Sequence, residues 1–582
     1  MPASDTSPQV NQTEIKINGA DLPNETMDKL FSVEVESSLY LPSMFTLRFH
    51  DDKLELIDAE TFKAGNPVEI KMGVSKLSLA SVFKGEITAL EPEFGEDLTS
   101  TLVVRGYDKG HRLNRGTKSR VYVQSTDTDI VQKIAQEAGL SATADSTTQV
   151  HEHVFQYAVN DWAFIHERAR RNNFEVSVDD GTLYFRKATT SAAVATLIWG
   201  QNMRSFQPRM SLTKQAGTVK VRGWDPAQKA AIVGQASTSS SAPATGIAGW
   251  GGSLSQSAFS AAEVLEIRHP VRDQSEAETM AKAILDEINA GFLEADGTTF
   301  GNPAVKAGKK VKIEKVGTKF SGNYIVTTAR HIYTPDGYDT HFTVQGTRAR
   351  TLSDLVDQSI TEQRTGQLWG GIVPALVTNN NDPNNMARVK VKFPWLDDSL
   401  ESNWARVTGP GAGATRGMLW MPEVNDEVLV AFEHGDFDYP YVVGSLWNGT
   451  DAMPDTTANI VKNGKVEVRI MKTRLGHVIK LTDSDNAKTI EIIGSAGDVI
   501  KFDETAKKIT IESKGDMDIK AAQKITIESQ GDMDIKATGN LKLNGATVKV
   551  NASGQLEVKA GGVGALEASG PLTVKGAVVN IN

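Results

Sequence analysis

Apolar residues recur as tight doublets through the C-terminal part of the chain. They sit at Ile509/Ile511, Met517/Ile519, Ile525/Ile527, Met533/Ile535 and Leu541/Leu543, then at Val548/Val550, Leu556/Val558 and Leu572/Val574. Nearly every doublet lies eight residues from the next, with glycines in the turns between. The sequence itself repeats: Lys508-Ile-Thr-Ile-Glu-Ser513 returns as Lys524-Ile-Thr-Ile-Glu-Ser529, and Gly515-Asp-Met-Asp-Ile-Lys-Ala521 as Gly531-Asp-Met-Asp-Ile-Lys-Ala537. Residues i and i+2 of a strand face the same way. Each strand therefore offers one narrow apolar stripe, too little to close a core without a covering partner. The pattern predicts three chains wound about a common axis with every doublet inward. Thr510, Glu512, Asp518 and Lys520 then face water. A single-chain β-solenoid is the alternative, and it needs coils of about twenty residues to enclose its own core.

Upstream, the periodicity changes several times. Phe31-Ser-Val-Glu-Val35 and Thr46-Leu-Arg-Phe49 alternate as half-buried strands do. A helix is expected over about 128–138, with Thr128 as N-cap, a stripe of Ile130, Val131, Ile134 and Ala135, and Gly139 as its stop. A second starts near Asp161 and buries Trp162, Phe164, Ile165 and Ala169. A third opens with a capping box, Ser275-Glu-Ala-Glu278, and carries Ala281, Ile284, Leu285 and Ile288 before Gly291. The Ser/Ala/Gly-rich stretch at about 235–260 reads as a loop or flexible insertion. A faint duplication links Gly65-Asn-Pro-Val-Glu-Ile70 with Gly308-Lys-Lys-Val-Lys-Ile313, each followed by Phe-x-Gly (Phe83-Lys-Gly85, Phe320-Ser-Gly322). Two similar β units per chain would let a threefold object present a quasi-sixfold face.

Composition narrows the class. With 582 residues, 40% hydrophobic and 23% charged, the chain has room for three or four globular domains. No apolar run is long enough for a membrane span, and the N-terminus lacks signal-peptide features. Zero cysteines exclude disulfides and thiolate chemistry. A net charge of −10 gives 3 × (−10) = −30 for a trimer, which argues against nucleic acid as the main partner.

The densest motif set lies in residues 366–449: Asp382-Pro383, Arg388-Val-Lys-Val-Lys-Phe-Pro-Trp395, Ser402-Asn-Trp-Ala-Arg-Val407, Gly411-Ala-Gly413, Met421-Pro-Glu-Val-Asn-Asp-Glu-Val-Leu-Val430, Phe432-Glu-His-Gly-Asp436 and Gly444-Ser-Leu446. Arg388 through Phe393 alternates as a barrel strand, and Val428-Leu-Val-Ala-Phe432 suits a fully buried one. This block resembles the OB-fold domain of contractile-tail spike proteins, the family of VgrG and phage baseplate assembly protein V. Gly106-Tyr-Asp-Lys-Gly-His-Arg-Leu113 and Asp161-Trp-Ala-Phe-Ile-His166 are similar to the hub half of VgrG. Tyr324-Ile-Val-Thr327 and Thr340-His-Phe342 fit its second barrel. OB folds often bind nucleic acid through aromatics. Here Trp395, Trp404 and Trp420 stand among Asp397, Asp398, Glu401 and Glu423, which favours core or interface packing.

Local signatures of catalysis are missing. His151-Glu-His153 puts two imidazoles on one strand face without an evident third ligand. The 409–417 glycines precede a strand and lack Gly-Lys-Ser/Thr, and Asp483-Ser-Asp485 breaks the calcium-loop pattern at Ala487 and Gly494. No Gly-x-Ser-x-Gly motif is present. The expectation is a mainly β protein with a few helices and neither enzymatic activity nor cofactor. Its domains are a disordered N-terminus (1–12), a first tube-like hub β-barrel (13–125), a helical/β insertion and flexible loop (126–260), a second hub barrel (261–360), an OB-fold (361–450), a linker (451–475) and an intertwined trimeric β-helix needle (476–582). The needle core is expected at Ile509, Ile511, Met517, Ile519, Ile525, Ile527, Met533, Ile535, Leu541 and Leu543.

The resemblance implies a homotrimeric spike of a contractile injection system, made in the cytoplasm and housed in a released or membrane-anchored particle. It implies as partners a hexameric inner tube, other baseplate proteins and a PAAR-type tip protein docked on Val578, Val579 and Ile581. The target membrane is met only on firing, and nucleic acid not at all. A polysaccharide-degrading tailspike or a receptor-binding fibre are the rival readings. The first needs paired carboxylates in a groove, whereas the rod carboxylates repeat with the doublets like a solvated face.

Overall fold

The computed structural model describes residues 12–96, 98–187, 192–239, 244–267, 269–344 and 371–581. The expected disorder of 1–12 falls almost wholly outside these residues, as do the end of the second hub unit and the start of the OB region. The protein is mainly β and divides into two compact units, 1–453 and 454–582.

In the first unit, alternation does what the sequence predicts. Val33 and Val35 of strand Leu30–Ser38, and Leu47 and Phe49 of strand Met44–His50, are buried; their neighbours Glu34 and Arg48 are only partly so, while Thr46 is buried on the other face. They pack with Phe45, Phe62, Ile70 and Met72 in one core. A second core gathers Val311, Ile313, Tyr324 and Phe342. Both parts contribute to one eleven-stranded sheet, joined where Leu30–Ser38 runs antiparallel to Thr328–Thr334 with Val33 opposite Tyr333.

The duplicated segments share their strand starts. Gly65 (φ +92°) and Gly308 (φ +74°) both turn through left-handed backbone, where glycine carries no Cβ penalty. Strands Pro67–Gly73 and Lys310–Glu314 follow, each antiparallel to the strand that holds the Phe-x-Gly glycine. The registers differ by two residues: Gly85 faces Val68, whereas Gly322 faces Ile313. In each case a Cβ would collide with a neighbouring carbonyl, Tyr107 O or Ala244 O, at 2.3 Å.

Helix boundaries shift slightly from expectation. Thr126, not Thr128, caps helix Asp127–Glu137, because its side chain and that of Asp129 bond each other's backbone N–H. Asp273, not Ser275, caps helix Gln274–Ala290 by accepting from Glu276 N. Helix Asp161–Asn172 buries Trp162, Phe164, Ile165 and Ala169 as predicted. Residues 251–259, read from sequence as loop, form helix Gly251–Phe259. Its small residues are a packing requirement: a Cβ on Gly251 would strike the Gln215 side chain and Phe292.

Strands Val373–Asn379, Arg388–Lys392, Ala405–Val407, Pro440–Ser445 and Glu427–Phe432 close into a barrel. Val428-Leu-Val-Ala-Phe432 is not buried throughout. Val428, Val430 and Phe432 enter the barrel core, while Leu429 and Ala431 are half-buried on its outer surface.

The second unit begins its strands with a short hairpin of Val461–Lys462 and Lys465–Val466, and strand Val468–Lys472 starts ahead of the expected needle boundary. Strands Val478–Asp483, Lys488–Ile493, Val499–Asp503 and Lys508–Glu512 complete an antiparallel meander. Beyond Glu512 no strand pairing follows among the described residues, and residues 514–581 are exposed throughout.

Candidate functional site

The meander has two unlike faces. On one, Ile479/Leu481, Ile490/Ile492, Ile500/Phe502 and Ile509/Ile511 lie in register, each residue opposite an apolar partner on the next strand. On the other, Lys501 bridges Glu491 and Asp503, both at 3.3 Å. The apolar face is uncovered: its eight residues are 39–64% exposed. Three of these doublets escaped the sequence reading because their spacing is not eight. It is 490 − 479 = 11, then 500 − 490 = 10, then 509 − 500 = 9, and reaches 8 only at 517 − 509. The i, i+2 signal itself was present in Val478-Ile-Lys-Leu481 and Val499-Ile-Lys-Phe502.

Of the ten expected needle-core residues, the structure brings Ile509 and Ile511 into register with Phe502 and Ile500. The other eight make no strand pairs within the chain. All ten are 48–74% exposed. The series runs on to Val579 and Ile581. Val579/Ile581 lies seven residues after Leu572/Val574, as Val548/Val550 does after Leu541/Leu543. The segments Leu541-Lys-Leu-Asn-Gly-Ala-Thr-Val-Lys-Val-Asn551 and Leu572-Thr-Val-Lys-Gly-Ala-Val-Val-Asn-Ile-Asn582 match. One doublet is incomplete: between Leu556/Val558 and Leu572/Val574 the pair is Gly564/Leu566. An apolar array this long and this exposed is an interaction surface rather than ordinary surface.

The first unit contains the reverse case, a joint sealed with charge. Strand Val150–Val159 lies against the barrel turn at 433–439. His434 (φ +50°) and Gly435 (φ +81°) bend that turn through left-handed backbone and aim Asp436, Phe437 and Asp438 at the strand. Phe155 joins the barrel core, 5.4 Å from Phe437 between ring centroids, and Tyr157 stacks on Phe437 at 4.5 Å. Asp438 accepts from Phe155 N at 3.0 Å and lies 3.3 Å from His153 Nδ1, while His153 Nε2 is 2.9 Å from the Glu401 carbonyl. Arg272 donates to His153 O at 2.9 Å and to the Tyr439 hydroxyl at 3.3 Å. Arg171 reaches Glu167 at 2.6 Å, Asp436 at 3.6 Å and Glu276 at 3.9 Å. Burial alone would push Asp438 up, but the His153 ring and the nearby Arg272 outweigh it and hold its carboxyl below the usual range. Asp436 goes the other way, pushed up by burial and by Asp438.

Behind this joint, Asp127 is buried and accepts from Arg168 Nε at 2.5 Å and Asn172 Nδ2 at 2.6 Å, with His151 Nε2 at 3.2 Å. Burial opposes its ionisation, yet the Arg168 charge keeps its pKa well below the ordinary aspartate value. His151 and His153, read from sequence as ordinary strand histidines, thus serve two separate carboxylates. The sequence offered no direct sign of Asp438, though Phe432-Glu-His-Gly-Asp436 stood beside it. Of the three tryptophans, Trp404 packs under Arg388 and Lys390, both 5.6 Å from its ring. Trp395 donates to Pro374 O at 3.1 Å, and Trp420 is half-exposed. No helix among the described residues is long and apolar enough to cross a membrane.

The described residues thus hold one long sheet, a closed five-stranded barrel and a chain of uncovered doublets. The Alg8 N-terminal domain family matches residues 7–334, and the type VI secretion system/phage-baseplate injector OB domain matches residues 373–447. The chain belongs to the Alg8 N-terminal domain family over its first half, and its barrel is similar to the injector OB domain of type VI secretion systems and phage baseplates. It is 37% identical over 75 residues to the type VI secretion system spike protein VgrG3 of Vibrio cholerae, covering 12% of this chain and 7% of that protein. To VgrG1a of Pseudomonas aeruginosa it is 28% identical over 154 residues, 24% of each. The matches thus span about a quarter or less of these curated relatives. In the half-lidded structure of the Francisella PdpA–VgrG complex, one chain is similar in fold at a TM-score of 0.52 and 9% identity, covering 87% of this chain and 88% of that one.

Proposed function

We propose that the protein works as a homotrimeric spike, hub and needle of a contractile injection system. The observation that carries this is the uncovered apolar face, which runs in register through the meander and continues to Ile581 as doublets seven or eight residues apart, one of them incomplete. Three chains wound about one axis bury every doublet and leave the Lys and Asp/Glu positions in water. Fully burying such a side chain contributes about 1.5–3 kcal/mol, and with two per repeat in each chain the gain grows with needle length. The product is a thin rod that transmits force without unfolding.

In this reading the two hub units, 13–125 and 261–360, give six similar faces per trimer and seat the spike on a hexameric inner tube. The OB barrel links hub to needle, and the needle is driven through a target membrane when an outer sheath contracts. The action is mechanical, with no covalent step. Assembly takes place in the cytoplasm with other baseplate proteins, and the finished spike resides in the injection particle. A PAAR-type tip protein would dock on Val578, Val579 and Ile581.

Deletion of residues 1–350 tests the division of labour. It should leave a needle that still associates as a trimer, although the barrel loses Phe155 from its core, and that no longer binds assembled rings of the tube protein. Ring binding equal to that of the full chain would remove the docking role from the hub.

A further inference from the structure

Two surfaces of the first unit stay open within one chain, and their chemistry is complementary. The first is a sheet face. Strand Thr218–Asp225 lies between Ala230–Ala236, antiparallel to it, and Glu263–Glu266, parallel to it. Alternation sends Val219, Val221 and Ile232 to the side that helix Gln274–Ala290 covers, so closely that a Cβ on Gly234 would lie 2.2 Å from Ala277 C. The opposite side has no such cover. Register there places Lys220 beside Leu265 and Arg222 beside Val233, with Trp224 next on the middle strand and Ile267 just past the parallel one. Trp224, Leu265 and Ile267 are 46–52% exposed. Glu263 neutralises Lys220 at 2.7 Å, whereas Arg222 forms no ion pair among the described residues. The face is apolar around one free cation.

The second surface is a hairpin tip. Strands Ala80–Phe94 and Ser100–Tyr107 share an end that exposes Leu90, Phe94 and Leu98. Gly95 N donates to Thr99 O at 2.9 Å and Leu98 N to Gly95 O at 3.2 Å, which closes the tip. Leu98 is 92% exposed and sits at φ +62°. Left-handed backbone is an outlier for a bulky side chain, and strain of this kind marks functional positions. Arg105 and Arg48 hold Glu91 and Glu93, but Glu96 forms no ion pair among the described residues. The tip therefore offers apolar side chains beside one free anion, the converse of the sheet face.

Neither surface is covered within the chain, so a contact between them joins two chains. Two different patches of one chain meet head to tail, and such contacts close into a ring. With three copies, each gives one tip and takes one. We propose, resting on the trimer above, that the hairpin tip of each copy docks on the open sheet face of the next. Phe94 and Leu98 pack against Trp224, Leu265 and Ile267, and Glu96 faces Arg222. Apolar burial supplies the affinity, because a single exposed ion pair adds little, and the charges set the orientation. The contact ties neighbouring copies together at a site apart from the needle.

The chain has no cysteine, so an engineered pair reports the contact without background. Full-length protein carrying both Glu96→Cys and Arg222→Cys is oxidised with copper phenanthroline, run on a non-reducing gel and mapped by mass spectrometry, with light scattering on the same sample. A trimeric mass, a covalent trimer band and a linked 96–222 peptide are expected. The two single variants should give linked pairs when co-expressed and none when expressed alone. Leu98→Asp added to the double variant should abolish the link while the mass stays trimeric through the needle. Should the cysteine variants misfold, hydroxyl-radical labelling of Trp224 decides: it must rise in Leu98→Asp relative to wild type, and equal labelling overturns the docking. A trimeric mass without the link, a link confined to one chain, or a link that survives Leu98→Asp overturns the docking and leaves the trimer standing. A monomeric mass overturns both.

Discussion

Strand Glu427–Phe432 in the barrel and strand Lys508–Glu512 in the needle carry nearly the same alternation, yet only the first buries it. Val428 and Val430 are sealed by the closed barrel; Ile509 and Ile511 are 64% and 63% exposed. Alternation fixes which side chains share a face. It does not say what covers that face. In the first unit the chain supplies its own cover, down to buried ion pairs such as Asp127–Arg168. In the second the apolar face stays uncovered within the chain. A buried charge pair demands a completed structure, because removing either partner strands the other. An exposed apolar ladder makes no such demand on the chain that carries it, and under the proposed trimer its cover comes from the other two copies.

The contrast breaks most sharply at Ile527→Asp. If the doublets meet at a threefold axis, three carboxylates are forced together out of water, each costing several kcal/mol. The variant should elute as monomer or aggregate in size-exclusion chromatography, while the first unit keeps its fold by circular dichroism. Next in size, Asp127→Ala leaves Arg168 buried without its anion. A loss of about 3–5 kcal/mol in chemical denaturation of the first unit is expected, with no change in needle association.

A pH test sharpens the claim that the first unit is closed. Burial pushes His331 down to about 3 and Asp108 up to about 7. Unfolded histidine binds protons from about pH 6.5, so His331 weakens the fold as pH falls from there towards 3. Asp108 acts oppositely, since the folded form takes up its proton first and gains stability between pH 7 and about 4. Removing His331 unmasks Asp108. Relative to wild type, His331→Gln should gain on the order of 3 kcal/mol between pH 7 and pH 4, read from urea midpoints at each pH. An unchanged difference would mean that His331 is not sealed from water.

Two smaller substitutions address the needle. Gly564 occupies a doublet position and its added Cβ would meet only Ala560 Cβ at 3.5 Å, an ordinary contact. Gly564→Val should fill a gap in the core between chains and stabilise by about 1–3 kcal/mol per chain, seen as a higher melting temperature. Glu528→Ala, on the outward face, should change stability by less than about 0.5 kcal/mol.

Much of this was legible in the sequence. The doublets, the barrel motifs and the apolar stripes of three helices follow from periodicity, which local backbone geometry enforces. Helix starts moved by two residues because Thr126 and Asp273 compete with Thr128 and Ser275 for the same capping role, and only the approach path of the chain decides. The 251–259 helix was hidden because Gly251 and Gly252 look like linker, when in fact Gln215 and Phe292 leave no room for a side chain. The joint was invisible for a different reason. His153 and Asp438 are 285 residues apart, and no local pattern marks a pair that only the tertiary fold brings together.

The central claim is that three copies complete the needle. Light scattering of the purified full-length chain measures this directly. A mass of 3 × 62.9 = 188.7 kDa, stable on dilution, is the predicted result. A stable species of 62.9 kDa would contradict it.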